Sequence, residues 1–181
     1  SSRKIVAILI VEQLRLFNSE REIYKKIFAP LKILGNQNQF SWGVMGIKQD
    51  TARQIEFNLK NSDSKWYLGK QNENILDFKT DNHDQERFER LTDENNRYYS
   101  YLYAAILIKQ LEIQWKSAGF SIEDKIGISA TLYNIGFINS IPKANPEIGG
   151  SEIEIGKVHY SFGGLAQSFF DNDAYHYSGA R

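Results

Sequence analysis

The sequence predicts a mainly α single domain with one small hairpin. Three observations carry that expectation. Residues 3–17 hold no Gly or Pro, Tyr99 to Leu111 repeats apolar residues at helical spacing, and strand signals are sparse and short. A length of 181 residues fits one domain. A domain of that size buries roughly 70% of the surface its unfolded chain exposes.

The first element is a helix over 3–17, apolar almost all round from Ile5 to Val11, as a central core helix is. Asn18-Ser19-Glu20 offers a turn and an N-cap, and 20–28 reads as a short amphipathic helix stopped by Pro30. Residues 35–49, rich in Gly, Asn and Gln, suit a loop or short hairpin. Asp50-Thr51 caps a helix running to about Lys60. Residues 61–83 read as an irregular surface excursion, and the charge-mixed stretch 84–97 leads into a helix. In that helix Tyr99, Leu102, Tyr103, Ile106, Leu107 and Leu111 share helical spacing up to Trp115. A helix follows over 122–135, its start disturbed by Gly127. The Pro- and Gly-rich stretch 136–157 reads as loop, about 158–170 as a last helix, and 171–181 as a frayed tail.

Composition removes several function classes. Lys plus Arg and Asp plus Glu are 22 each, so no net field points to nucleic acid or an anionic membrane. There is no cysteine, hence no disulfide, thiolate metal site or Cys nucleophile. The run Ile5 to Val11 is far short of the roughly 20 residues that span a bilayer. It stands behind Arg3 and Lys4 like a signal-peptide remnant, but Glu12, Gln13 and Arg15 follow at once, and a buried helix is the better reading. His83, His159 and His176 are isolated, so no metal site is expected. Gly149-Gly150 and Gly163-Gly164 lack the Lys-Ser/Thr of a phosphate loop, and Ser161-Phe162-Gly163-Gly164 is no nucleophile elbow.

Glu12 is the candidate for chemistry. It follows directly on an apolar helical run, and a carboxyl there is costly to ionise unless it faces a cleft. Partial burial raises a carboxyl pKa, which suits a general acid near neutral pH. The ordinary alternative is a surface Glu paired with Arg15 or Lys4.

Two further motifs bear on that choice. Ser41-Trp42-Gly43-Val44-Met45-Gly46-Ile47-Lys48-Gln49-Asp50-Thr51-Ala52 resembles the lytic transglycosylase signature of Ser, then Gly-Leu-Met-Gln-Ile, a polar turn and Thr-Ala opening a helix. Leu132-Tyr133-Asn134-Ile135-Gly136 is similar to the Ala-Tyr-Asn-Ala-Gly motif of the same superfamily. The order also matches: an acid ending the first core helix, the Gly-Val-Met hairpin, then Tyr-Asn-Gly after a long helix. The chain thus resembles the lysozyme-like superfamily, nearest to soluble lytic transglycosylases and goose-type lysozymes, over about 3–60 and 95–137.

The resemblance implies a lysozyme-like domain with a small hairpin or loop beside the cleft, acting on peptidoglycan glycan strands outside the cytoplasm, in the periplasm or beyond, without a cofactor. It implies Glu12 as the acid that protonates the glycosidic oxygen. Ser41, Trp42, Gly43, Val44 and Met45 form the facing cleft wall, Tyr133 and Asn134 stand beside the acid, and Tyr160 takes the place of a late tyrosine. Trp42 is equally suited to stacking on a sugar and to packing in the hairpin. A protein partner, an inhibitor or a secretion apparatus, is compatible with such a domain.

The chain departs from the pattern at three places. Gln13 replaces the usual Ser after the acid, Gly46 replaces a Gln and removes a polar cleft contact, and the Glu12-to-Gly43 interval is long, as in goose-type enzymes. Glycoside cleavage ordinarily uses two carboxyl groups. Here Lys48 stands where goose-type enzymes carry an Asp, and Glu20 and Glu22 in the insertion are better read as solvated charges. The missing second carboxylate favours the single-acid transglycosylase route over an inverting muramidase. A non-catalytic glycan-binding or scaffold protein, and a glycosidase acting on chitin-like glycans, are the other readings.

Overall fold

The computed structural model describes residues 2–18 and 41–172, with the backbone alone at Asn18 and Ser41. The expected helix at 20–28, the start of the 35–49 loop and the tail beyond Asn172 lie outside the described residues. The described chain is mainly helical. Among the described residues no helix is long and apolar enough to cross a membrane.

Helix α1 spans Ser2–Asn18, close to the expected range. It is not the all-round buried helix that its apolar run suggested. Val6 is 42% exposed, and the buried positions are Lys4, Ala7, Ile8, Val11 and Glu12. Their spacing draws one face, and two of its members are charged. Lys4 donates to the Glu112 carboxylate and to the Glu123 carbonyl, which is how a cation is tolerated there.

A hairpin follows, with β1 (Ser41–Trp42) antiparallel to β2 (Ile47–Lys48). Helix α2 (Gln49–Lys60) starts one residue ahead of the expected Asp50-Thr51 cap, and its N-cap, Lys48, makes no side-chain cap bond. Asp50 in the first turn still sits favourably against the helix dipole.

The excursion at 61–82 is irregular, with one short 3-10 turn at Lys70–Asn72, but it is fastened down. Leu76 is buried, and Trp66 meets Phe137 edge-on at 5.0 Å. The buried Arg90 donates to the Leu76 and Asp77 carbonyls at 2.9 and 2.6 Å, with its guanidinium over Phe78 and Tyr99.

Arg90 belongs to α3 (His83–Thr92), a separate helix where the charge pattern suggested only a lead-in. The Asn82 side chain caps it by accepting from Gln85 N at 3.2 Å. Asp93 Oδ1 then accepts from Asn95 N and Asn96 N at 2.9 and 3.0 Å, and this turn separates α3 from α4.

Helix α4 (Tyr98–Ser117) is the central element. Tyr103, Ala104, Ile106, Leu107, Ile108, Leu111 and Trp115 are all buried. Gln110 Nε2 reaches the Ile55 carbonyl of α2 at 3.0 Å. Trp115 Nε1 and Gln114 Nε2 hold Ser140 in the next loop at 2.9 and 2.8 Å.

Helix α5 (Ile126–Ile135) begins later than expected. The chain turns at 122–125 through Lys125 N to Ile122 O at 3.0 Å. Gly127 lies in the first turn of the helix, where a Cβ would stand 2.6 Å from Ile148 Cδ1, so the glycine makes room for that side chain.

The largest difference from expectation lies at 152–161. The stretch assigned to loop and helix start is a second hairpin, β3 (Glu152–Ile155) against β4 (Val158–Ser161), paired from Glu152↔Ser161 to Ile155↔Val158. Its two-residue turn puts Gly156 at φ +67°, the glycine-first pattern of tight hairpins. Helix α6 (Phe162–Asp171) follows directly, with Ser161 Oγ accepting from Gly164 N at 3.2 Å. It packs on α5 and α1. A Cβ on Gly163 would stand 2.1 Å from Thr131 Oγ1, so that glycine sets how closely α5 and α6 approach.

Candidate active site

The C-terminal half of α1, which runs six residues beyond the acid expected to close it, meets the turn of the first hairpin and the end of α5 at Glu12. The residue is 2% exposed. Its carboxylate takes a two-point contact from Arg15, Nε to Oε2 at 2.9 Å and Nη2 to Oε1 at 2.5 Å. The sequence posed burial and pairing as alternatives; the carboxylate is both buried and paired. The Arg15 side chain is 26% exposed, so it roofs the carboxylate and reaches the surface. The bond to Glu12 raises the Arg15 pKa, against the opposing effect of burial.

The hairpin comes in from the other side. Gly46 has φ +63°, and a Cβ there would stand 1.7 Å from Glu12 Oε1. The residue that departs from the lytic signature is thus the one that lets Glu12 lie against the turn. Gln13 Nε2 donates to the Val44 carbonyl at 2.5 Å, so the other departing residue also ties α1 to this turn. Gly43, at φ +65°, fits under the end of α3, where a Cβ would stand 2.0 Å from the Leu91 carbonyl oxygen.

From α5, the buried Tyr133 hydroxyl donates to the Met45 carbonyl at 2.5 Å. Burial first, and the Glu12 charge second, push the Tyr133 pKa well above the usual tyrosine value. Met45 is fully buried and its amide donates to Ser100 Oγ at 3.3 Å. Glu12, Val44, Met45, Gly46 and Tyr133 therefore form one cluster, built from segments far apart in the chain.

Other expected residues stand elsewhere or do other work. Trp42 is 5% exposed and meets Phe88 edge-on at 5.2 Å, which makes it a packing residue. Asn134 Oδ1 accepts from Ser151 N at 2.7 Å and anchors the approach to the second hairpin. Tyr160 lies on β4 opposite Ile153, 37% exposed, and not on a late helix. Ser41 pairs with Lys48 across the first hairpin; its side chain lies outside the described residues, as do Glu20, Glu22 and His176. Lys48 is exposed on β2. His83 stacks on Phe78 at 4.4 Å, and His159 faces Glu154 across the second hairpin.

Among the described residues no group of three or more His, Asp and Glu comes together as a metal site would. A recess of about 230 Å³ opens beside α3 and the start of α4, lined by Lys79, Glu86, Arg90 and Tyr99 among others, and shares no residue with the Glu12 cluster.

Sequence reading missed the role of Gly46. The signal was there in part: a Gly at the second corner of a Gly-x-x-Gly turn marks a backbone that needs left-handed φ or close approach. Which side chain approaches it depends on the fold. Comparisons with protein-family models, curated proteins and solved structures found no match.

Proposed function

We propose that this chain is a lysozyme-like enzyme that cleaves the β-1,4 bond between N-acetylmuramic acid and N-acetylglucosamine in peptidoglycan, with Glu12 as its single general acid. One observation carries the reading. The Glu12 carboxylate in the C-terminal half of α1 lies against Gly46 of the Ser-Trp-Gly-Val-Met-Gly turn, and Tyr133 of the Tyr-Asn-Gly motif bonds the adjacent Met45 carbonyl. The features that carry the resemblance are thus neighbours in space.

In the proposed reaction Glu12 gives its proton to the glycosidic oxygen as the C1–O bond breaks. The sugar's own N-acetyl group stabilises C1, and its C6 hydroxyl then attacks C1 and returns a proton to the Glu12 carboxylate. A 1,6-anhydro end results. Tyr133 fixes the hairpin turn against which Glu12 rests. Such an enzyme meets its substrate in the periplasm or outside the cell.

The two-point contact from Arg15 favours a second reading. A carboxylate so held is a structural ion pair, as in a non-catalytic glycan-binding or scaffold relative. Mass spectrometry of products from purified peptidoglycan separates the readings. The lytic reading expects 1,6-anhydro ends from the wild type and none from Glu12→Gln. Reducing ends mean hydrolysis by a muramidase, and intact strands that stay bound mean the scaffold role.

A further inference from the structure

Ser100 lies in the first turn of α4, a helix whose N-cap, Arg97, makes no side-chain cap bond. A serine near a helix start commonly turns its oxygen back on its own helix. This one is 1% exposed, and its Oγ accepts from the Met45 amide at 3.3 Å, 55 residues away in the chain. The Met45 carbonyl accepts in turn from the Tyr133 hydroxyl of α5. Both backbone polar groups of this buried residue are thus taken by side chains, from two different helices. In a turn, such bonds supply the fixing that a ladder supplies in a sheet.

The glycines of the turn show what that fixing serves. Gly46 N closes the turn on the Gly43 carbonyl at 3.2 Å. A Cβ on Gly43 would stand 2.8 Å from Ser100 Oγ, and one on Gly46 would stand 1.7 Å from Glu12 Oε1. The turn is therefore wedged between Ser100 at its first glycine and the Glu12 carboxylate at its last. Neither end carries a side chain that could yield, so in a close-packed interior a shift at the Ser100 end reaches the Glu12 end. A misplacement of about 1 Å at a reacting group costs on the order of a hundredfold in rate.

We propose that Ser100 is a positioning residue for the general acid: through Met45 it fixes the height of the Gly43–Gly46 turn, and through Gly46 the place of the Glu12 carboxyl. Ser100 and Tyr133 act as one clamp, because each holds one polar group of the same residue. This rests on the reading of Glu12 as the acid.

The test takes Ser100→Ala, Ser100→Cys, Tyr133→Phe and the double variant Ser100→Ala, Tyr133→Phe, each first checked for cooperative melting and assayed well below its Tm. On solubilised peptidoglycan strands, Ser100→Ala should lose about tenfold or more in kcat with KM within about twofold of the wild type, since the acid is displaced and the strand is not. Ser100→Cys, whose sulfur is a weak acceptor, should fall between, and it carries the comparison if the alanine variant does not fold. The double variant should lose less than the product of the two single losses, as groups holding one residue do. Unchanged kcat, a change confined to KM, or losses that multiply overturns the proposal.

The second arm needs no turnover. The carboxyl carbon resonance of Glu12, assigned by its absence in Glu12→Gln, should move in Ser100→Ala. That of Glu112, on the same helix as Ser100 but three turns on, should stay. A wild type that cleaves no strand ends the reading of Glu12 as the acid, and the resonance then decides whether Ser100 places that carboxyl. A Glu12 signal that does not move overturns the positioning role.

Discussion

A Cβ placed on Gly46 would stand 1.7 Å from Oε1 of Glu12, closer than any real contact allows. Gly46→Ala must therefore push the carboxylate aside or move the turn, and also adopt φ +63°. The two effects together should cost about 2–4 kcal/mol, read as a fall in Tm of about 5–15 °C for a chain of this size. Wall-lysing activity should vanish even well below the new Tm. An alanine variant with unchanged melting and activity would show that Glu12 does not rest on this turn.

Tyr133→Phe removes the hydroxyl that bonds the Met45 carbonyl inside the core. It leaves that carbonyl without its buried donor and should cost about 1–3 kcal/mol. Glycan cleavage should fall as well, because the turn facing Glu12 loses its brace. Urea unfolding gives the first quantity and product release from sacculi the second.

Two tyrosines report on alkaline stability. Burial raises the pKa of Tyr103 and of Tyr133, and in both cases a nearby glutamate raises it further. A tyrosine of raised folded-state pKa keeps its proton in the native state after the unfolded chain has lost it. Its contribution is complete below about pH 10, the unfolded value, and declines above it. Stability should thus fall as pH rises past about 10. Tyr103 and Tyr133 should ionise only as the chain unfolds, which near-ultraviolet absorbance followed alongside far-ultraviolet dichroism will resolve. Their ionisation in a folded chain would contradict the burial of both hydroxyls.

Lys4→Met strands the Glu112 carboxylate, which is buried. Removing one partner of a buried pair costs about 3–5 kcal/mol. Here the lower part of that range is expected, since Lys109 also pairs with Glu112 at 2.7 Å. The double variant Lys4→Met, Glu112→Leu should recover most of the loss. Chemical denaturation of the three variants forms the check.

Arg90→Ala removes the clamp on the excursion at 61–82. The Leu76 and Asp77 carbonyls lose their donor, and Phe78 and Tyr99 lose the guanidinium between them. Limited proteolysis should then cut within 61–82 at least about tenfold faster, a rate that tracks the local opening equilibrium. The hydrogen bonds and ring contacts that Arg90 makes here go to Leu76, Asp77, Phe78 and Tyr99 and to no member of the Glu12 cluster, so glycan binding should be retained.

Legibility in the sequence followed the range of the interactions. Helix α1 and the apolar run in α4 were readable because their residues repeat along one strip of chain. The break between α3 and α4 was harder, since it depends on Asp93 folding its side chain back onto Asn95 and Asn96. The second hairpin was missed where a Pro- and Gly-rich stretch masked the alternation of Glu152-Ile153-Glu154-Ile155, of which Ile153 alone is deeply buried. The two charged members of the buried face of α1 could be named from sequence, but not their partners. Lys4 finds Glu112 across more than a hundred residues, and Glu12 finds Arg15 one turn away. Gly46 looked like a lost contact because only the folded chain reveals which atom it makes room for.

The Tyr133–Met45 bond joins positions 88 residues apart. During synthesis the turn beneath Glu12 therefore lacks its brace until α5 has left the ribosome. Contacts of such separation form late. A nascent chain, or a fragment cut ahead of α5, carries the acid and the glycine turn but not the tyrosine that braces that turn, so the cluster is complete only once α5 is in place.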